Sequence, residues 1–151
     1  MIQDIASELE SLIDEHLPFL FAVPETEMLY RPAPGKWSRK EVIGHLVDSA
    51  QSNIRRFVVA QYEDAPHIVY NQDKWVAIAG YQDYDLNDLI SLWTLLNRHI
   101  VVILRNMPED IAQRQCMTEA FHSIEWLAAD YNKHLKHHIH QVLNLDPIAY
   151  P

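Results

Sequence analysis

The sequence predicts an all-α protein folded as a four-helix bundle. Four segments have helical spacing of apolar residues, only three glycines occur, and the alternating apolar pattern typical of strands is almost absent. At 151 residues, the chain can bury a substantial core without disulfides or other cross-links. We therefore expect one domain that spans residues 1–151.

The helix boundaries follow from apolar periodicity and from capping residues. The four predicted helices span residues 2–22, 38–63, 85–107 and 123–144. Ser38 and Glu41 form a capping-box pair at the start of the second, where each side chain can bind a free backbone amide of the other residue. Asp85 and Ser123 are suitable N-caps for the last two helices. The prolines between these segments favour linkers, because proline stops a helix: Pro24, Pro32, Pro34, Pro66 and Pro108.

The connection between the second and third helices, residues 64–84, is long for a simple bundle. We predict a short extra helix within it, over residues 71–79. Asp73 and Trp75 on this segment are candidate pocket residues, since binding residues favour loops on a rigid scaffold. In the alternative interpretation, Trp75 covers the end of the core and Asp73 is only solvated.

Composition excludes some classes of function. With 12 Lys and Arg against 21 Asp and Glu, the formal net charge is −9 and no basic stripe is present. Proteins that bind nucleic acid normally need such a basic face to neutralise phosphates, so a nucleic-acid partner is not expected. No apolar run reaches the length of a membrane span and no signal-peptide pattern is visible, so we expect no membrane partner and a cytoplasmic location.

Histidines cluster near the C-terminus, where four of the nine fall between positions 134 and 140. His134 and His138 are four residues apart, so a helix places them one above the other on one face, where they can share a metal ion. His138 lies within the apolar stripe of this helix and His134 on its margin, whereas His137 and His140 lie on the polar side. The pair His134 and His138 is therefore preferred as core-facing ligands.

A zinc-like site needs at least three protein ligands, so a third must come from another segment. The best candidate is His45, which lies about two turns into the second predicted helix at the edge of its apolar stripe. Asp48, three residues later, could approach the ion or orient one of its ligands. An alternative remains open, in which the C-terminal histidines form a solvated face or His138 is a hydrogen-bonded core residue.

Other reactive side chains lack partners in the sequence. Cys116 is the only cysteine, so an intramolecular disulfide is impossible, and nothing near it indicates a lowered thiol pKa. Ser49 and Ser52 lie on the same helix as His45 but do not form a persuasive catalytic triad. A surface or hydrogen-bonded core role is expected for the remaining histidines, which are His16, His67, His99 and His122.

The chain resembles the DinB-like (DinB/YfiT-like) superfamily of metal-binding four-helix bundles. The resemblance lies in the segments 31–38, 41–49, 70–75 and 134–138, and in Gln141 with Val142. Family members commonly carry one ligand histidine in the second helix and an H-x-x-x-H pair in the last. By motif, these are His45, His134 and His138, the three residues that helical geometry also favours.

The resemblance implies a metal-dependent enzyme, because characterised relatives include thiol-dependent S-transferases that use bacillithiol and a mycothiol-dependent isomerase. We therefore expect a divalent ion, zinc or nickel first, and a low-molecular-weight thiol as cosubstrate. Asp48, Asp73 or Gln141 would orient ligands or carry protons, and the partner would be a small-molecule substrate. Relatives often pair, so a homodimer is also expected.

Two other functions remain open. Water at the same ion would support hydrolysis, since a bound metal lowers the pKa of water towards neutrality. A noncatalytic bundle that binds a metal or a small molecule in a stress response is the alternative from a different class. Saturable metal binding without turnover would distinguish it from an enzyme.

Overall fold

The computed structural model of the protein describes all residues, 1–151, and confirms the all-α four-helix bundle. Its elements in chain order are α1 (Ile2–Ala22), α2 (Glu25–Leu29), α3 (Arg39–Val59), α4 (Gln72–Ala79), α5 (Leu86–Arg105), β1 (Gln115–Met117), β2 (Phe121–Ser123) and α6 (Ile124–Val142). Short 3₁₀ turns occur at Tyr81–Asp83 and Ile111–Gln113. None of the helices is both long enough and apolar enough to cross a membrane.

The four long helices, α1, α3, α5 and α6, form the bundle. Helix α1 packs against α5 and α6, and α3 packs against the same two helices. The order around the bundle is therefore α1, α5, α3, α6, so the first two long helices along the chain are not neighbours. A core of 33 buried residues fills the interior, and Trp93 of α5 is one of its largest fully buried side chains. This order makes α3 and α6 neighbours, and these are the two helices that carry the predicted ligands.

Capping fixes where the predicted helices begin. The amide of Glu41 donates to Ser38 Oγ at 3.1 Å, and the amide of Ser38 donates to Glu41 Oε1 at 3.1 Å, so the capping box is formed. The hydroxyl and carboxylate oxygens of Ser123 and Asp85 accept from backbone amides at the starts of α6 and α5. The long helices thus lie within the predicted segments and end at most four residues earlier than predicted.

The predicted short helix is present as α4. Asn71 caps it by accepting from the amide of Lys74 at 3.0 Å, and Gly80 ends it in the left-handed region at a φ of 73°. Glycine suits this position because it carries no Cβ to clash there. The connection between α3 and α5 is therefore partly helical.

Two features were not predicted, the short helix α2 and a hairpin formed by β1 and β2. The strands pair antiparallel, with Cys116 opposite His122, and each has only three residues, too few for an alternating pattern to show. The hairpin also holds the long connection, since the amide of Ile68 donates to the carbonyl of Met117 at 3.0 Å. It thereby fixes residues 66–68 beside the end of α3.

The segment after α6, residues 144–151, folds back along that helix. His140 Nδ1 lies 2.8 Å from the carbonyl oxygen of Asp146, and His137 Nδ1 bonds to the carbonyl oxygen of Ile148. Tyr150 donates its hydroxyl proton to Asp130 Oδ2 at 2.7 Å. The ring of Tyr150 is thereby held close to the cluster of histidines on α6.

Candidate metal centre

Three histidine side chains converge where α3 and α6 meet. His45 of α3 is buried, and His134 and His138 of α6 are half-buried. Each offers one ring nitrogen, and the three nitrogens all lie within 4.8 Å of one another. The structure thus brings together the three residues that the sequence favoured as ligands.

The rings are arranged edge to face around the meeting point. His45 Nε2 lies 3.0 Å from His134 Nε2. The ring centroid of His45 is 4.9 Å from those of both His134 and His138, and the two rings on α6 are 4.6 Å apart. Interplanar angles are near 80° in all three pairs.

Neighbouring side chains orient these rings. Gln141 Oε1 lies 2.9 Å from His138 Nδ1, and because an amide oxygen only accepts, Nδ1 carries the proton and Nε2 keeps its lone pair. The Trp37 ring packs 5.0 Å from that of His45, and the Tyr150 ring 5.2 Å from that of His134. A hydrogen bond of the Gln141 kind is typical of metal-binding histidines, because it fixes both tautomer and ring orientation.

Electrostatics keep the cluster uncharged at neutral pH. Burial lowers the pKa of His45 to about 4, and burial together with the nearby His138 lowers that of His134 to about 2. Burial also lowers the pKa of His138. Neutral imidazole is the form that binds metal ions, so the three ligands do not need to lose protons before binding.

The donor set fits a divalent transition metal. Imidazole nitrogens lie about 2.0–2.1 Å from zinc, so two of them on a tetrahedral ion are about 3.3 Å apart, close to the separation of His45 Nε2 from His134 Nε2. His45 Nδ1 is buried without a hydrogen-bond partner, so His45 lacks the outer support that Gln141 gives His138. Three neutral imidazoles could hold a divalent metal ion, and zinc, nickel, copper and iron all accept such ligands.

A small polar cavity opens beside His134. Its volume is about 120 Å³, which corresponds to about four water molecules at liquid density. The side chains that line it come mainly from α3 and α6, with one residue from the long connection and one from the C-terminal segment: Ser49, Asn53, Arg56, Tyr70, Leu127, Asp130, Tyr131, His134 and Tyr150. A small ligand in this cavity would lie next to His134, one of the three clustered histidines.

Asp48 has a different environment from the one predicted. Its Oδ1 accepts a hydrogen bond from the Tyr81 hydroxyl, and no hydrogen bond links it to a ligand histidine. Burial raises its pKa to about 6, although the Tyr81 hydroxyl partly offsets this. Tyr81 lies directly against the α3 backbone at Gly44, where a Cβ would be 2.1–2.6 Å from three of its ring atoms. Asp48 therefore anchors the long connection to the helix that carries His45.

Asp73 and Gln141 were the other two candidate catalytic residues. Gln141 contacts His138, as described above. Asp73 lies exposed in the first turn of α4 and does not line the cavity, so the structure gives it no contact that would support a direct catalytic role. Trp75 packs against the cavity residue Tyr70 with a ring separation of 5.5 Å and remains 39% exposed.

The remaining histidines and the cysteine lie outside the cluster. His16 is buried with its Nδ1 2.8 Å from the carbonyl oxygen of Leu12, and His122 stacks on Trp126 at a ring separation of 3.6 Å. Cys116 is buried in β1, where burial raises the pKa of its thiol. None of these side chains belongs to the group of residues that could hold a metal.

Sequence reasoning missed several cavity residues. Ser49, Asn53 and Arg56 follow His45 on α3 at intervals of three or four residues, so the helical face of His45 continues as a polar stripe into the cavity. This spacing was visible in the sequence. Tyr150 and Tyr70 carried no such signal, because they reach the cavity from segments without regular periodicity.

Comparisons with known proteins agree with the fold. A solved structure, described as YfiT from Bacillus subtilis, a probable metal-dependent hydrolase with an unusual four-helix bundle topology, superposes with a TM-score of 0.86 at 19% identity. The match covers 95% of this chain and 84% of that one, and at this identity it shows a shared fold. A search of curated proteins finds no match. The sequence profile of the DinB superfamily matches residues 8–142, and the chain therefore belongs to the DinB superfamily.

Proposed function

We propose that this protein is a metal-dependent enzyme that activates a low-molecular-weight thiol for transfer to an electrophilic small molecule. The observation that carries the proposal is the convergence of three neutral imidazoles beside a small polar cavity. Three protein ligands leave at least one coordination position for a reactant, which distinguishes catalytic from closed structural sites. A divalent ion held there, zinc or nickel first, would supply Lewis acidity that lowers the pKa of a bound thiol.

Different residues of the chain would have different roles in this reaction. His45, His134 and His138 would hold the ion without adding negative charge, so its full double charge would act on the reactant. Gln141 would keep His138 in the tautomer that presents Nε2. Asp130 is the carboxylate that lines the cavity, and it would accept the thiol proton. The helices α3 and α6 would fix these groups, because both are packed into the core.

The chemical step is a substitution at carbon. The sulfur of the thiolate attacks the electrophilic carbon, a C–S bond forms, and the leaving group departs with the bonding electron pair. No oxidant or reductant is needed. This reaction suits the site because a thiolate is already a strong nucleophile once deprotonated, and no additional general base contacts the histidines.

Hydrolysis is the second candidate, and it is favoured by the similarity to the Bacillus subtilis protein YfiT, which is described as a probable metal-dependent hydrolase. The same three histidines would serve, with water in place of the thiol. The two candidates differ in cosubstrate, because only the transfer reaction requires a thiol. An assay with and without added thiol separates them.

The first experiment measures metal content in protein purified without an affinity tag. Wild type should carry close to one equivalent of metal, and His45→Ala, His134→Ala and His138→Ala should each lose it. His140→Ala is the matched control, since His140 lies on the same helix but outside the cluster, and it should retain the metal. Far-UV circular dichroism should show that all variants remain helical. Wild type without metal after reconstitution would refute the proposal.

The second experiment screens turnover with the metal-loaded protein. A panel of low-molecular-weight thiols is combined with an aryl halide, and release of halide and loss of free thiol are followed together. Equal release and loss that require the metal would support transfer, whereas thiol-independent cleavage of an activated ester would support hydrolysis. Full metal loading with no turnover in either assay would favour a noncatalytic binding protein.

A further inference from the structure

Arg56 is the only cationic side chain that lines the cavity beside His134. It lies three turns after His45 on α3 and is half-buried, which is unusual for a residue type that normally reaches solvent. Its neighbour in sequence, Arg55, is exposed. The cavity therefore has a metal-binding residue and a guanidinium in the same wall.

The guanidinium of Arg56 is held in place by hydrogen bonds, but not all of its N–H donors have a partner. Its Nε donates to the carbonyl oxygen of Ile68 at 3.0 Å, and Nη1 donates to Asn53 Oδ1 at 3.3 Å. Its carbon lies 5.8 Å from the centre of the Tyr70 ring. Nη2 makes no hydrogen bond to the protein, and no carboxylate forms an ion pair with this arginine. A half-buried charge without a counterion is costly, and an anionic ligand would remove that cost.

Asp130 is the one carboxylate that lines the same cavity, and it is engaged elsewhere. Its Oδ2 accepts the hydroxyl of Tyr150 at 2.7 Å, and it is not within ion-pair distance of Arg56. With a divalent ion on the histidines, the cavity would hold the charges of the ion, Arg56 and Asp130, a net charge of about +2. This local excess is opposite in sign to the net charge of the whole protein, −9.

We propose that Arg56 binds a carboxylate of the small molecule that reacts at the metal, so that the substrate or its thiol is a compact organic acid. The inference rests on the function proposed above, because it places the acid beside the three histidines. Nη2 and Nη1 would donate to the carboxylate oxygens, a pairing that the planar guanidinium geometry favours. A cavity of about 120 Å³ admits a carboxylate with a few carbon atoms. A single arginine matches the single charge of a carboxylate better than the double charge of a phosphate.

The test compares two probes of the same shape, propionate and propionamide, which differ mainly in charge. Each is titrated into ¹⁵N-labelled, metal-loaded wild type, and the amide shifts of Asn53, Arg56 and Tyr70 report binding at the cavity. Propionate should bind at least about tenfold more tightly than propionamide. Equal affinity of the two probes, or shifts confined to residues outside the cavity, would overturn the inference. This comparison needs no variant.

Variants then assign the effect to Arg56. Arg56→Gln should weaken the binding of propionate about tenfold and leave the binding of propionamide unchanged. The propionate affinity of Arg56→Lys should lie between those of Arg56→Gln and wild type, because lysine keeps the charge but lacks the planar guanidinium. Arg55→Gln is the matched control, since it removes the same charge one residue away on an exposed side chain, and should bind like wild type. Propionate affinity that is unchanged in Arg56→Gln would overturn the proposal.

Two further readouts separate this inference from the proposed function. Metal content is measured on every sample, and the propionate titration is repeated on His138→Ala. Arg56-dependent binding that persists in His138→Ala would show that the carboxylate site does not need the metal, and the same binding in a wild type that takes up no metal would refute the metal enzyme while retaining the carboxylate site. Full metal loading of wild type with no preference for propionate would refute the carboxylate site and leave the metal site intact. Inorganic phosphate is the final probe, and Arg56-dependent binding tighter than that of propionate would overturn the assignment to a carboxylate.

Discussion

Substitution of Gly44 by alanine tests how the long connection is fastened to the helix that carries His45. In an exposed helix interior this change stabilises a protein by about 1 kcal/mol, because alanine is the better helix former. Here the added Cβ would lie 2.1, 2.3 and 2.6 Å from three ring atoms of Tyr81. Carbon atoms in favourable contact are about 3.5–4.0 Å apart, so the ring would have to move by more than about 1 Å.

That displacement has two costs. Overpacking of a well-packed site destabilises by about 1–3 kcal/mol. Movement of the ring also breaks the hydrogen bond from the Tyr81 hydroxyl to Asp48, which leaves a buried carboxyl group without its donor at about 1–3 kcal/mol. After the helix-propensity gain is subtracted, we expect Gly44→Ala to lower the free energy of unfolding by about 1–5 kcal/mol.

Urea denaturation followed by circular dichroism measures this free energy. The control is the same substitution in a Tyr81→Ala background, where the ring is absent and Gly44→Ala should stabilise by up to about 1 kcal/mol. The reasoning is refuted if Gly44→Ala is as stable as wild type while Tyr81 is present. It is also refuted if the substitution costs the same in both backgrounds, because the ring would then not be the cause.

Three further predictions concern Asp48, Gln141 and Cys116. Folding raises the pKa of Asp48 to about 6, so the folded state holds this proton more tightly than the unfolded state does. The stability that Asp48 contributes therefore falls as pH rises from about 4 to about 6. In urea titrations across that window, the free energy of unfolding of wild type should fall by about 2–3 kcal/mol relative to that of Asp48→Asn. Gln141→Ala should weaken metal affinity about 10–100-fold in chelator competition while Gln141→Glu retains most of it. Cys116 should react with a thiol reagent only at the rate of unfolding, so labelling of the native protein within minutes would contradict its burial.

The sequence was sufficient to predict the long helices and the ligand cluster, for a physical reason. Helical periodicity and capping are local properties, so Ser38, Asp85 and Ser123 each mark a helix start without knowledge of the fold. The spacing of His134 and His138 is likewise local. His45 could be added because its helix has a similar stripe, and the bundle brings the two stripes face to face.

Features that depend on contacts between distant segments were not predictable. The hairpin and α2 are too short for periodicity, and they are stabilised by contacts with other segments, such as the bond of Ile68 to Met117. Asp48 was expected near the ion because it is three residues from His45. The partner that decides its environment is Tyr81, 33 residues away, and no local pattern reveals that pairing. Asp73 was predicted from its position on the short helix of the long connection, and in the first turn of α4 it lies exposed.

The separation of the three histidines along the chain would give a bound ion a mechanical role. His45 and His134 are 89 residues apart, so an ion bound to both closes a loop that spans more than half of the protein. A covalent link across a loop of that length restricts the unfolded chain by about 4–5 kcal/mol. With a lone cysteine, the chain cannot build such a link from sulfur. The ion would act as a reversible cross-link between α3 and α6. Removal of the ion by a chelator would destabilise the packing of these two helices before that of the rest of the bundle.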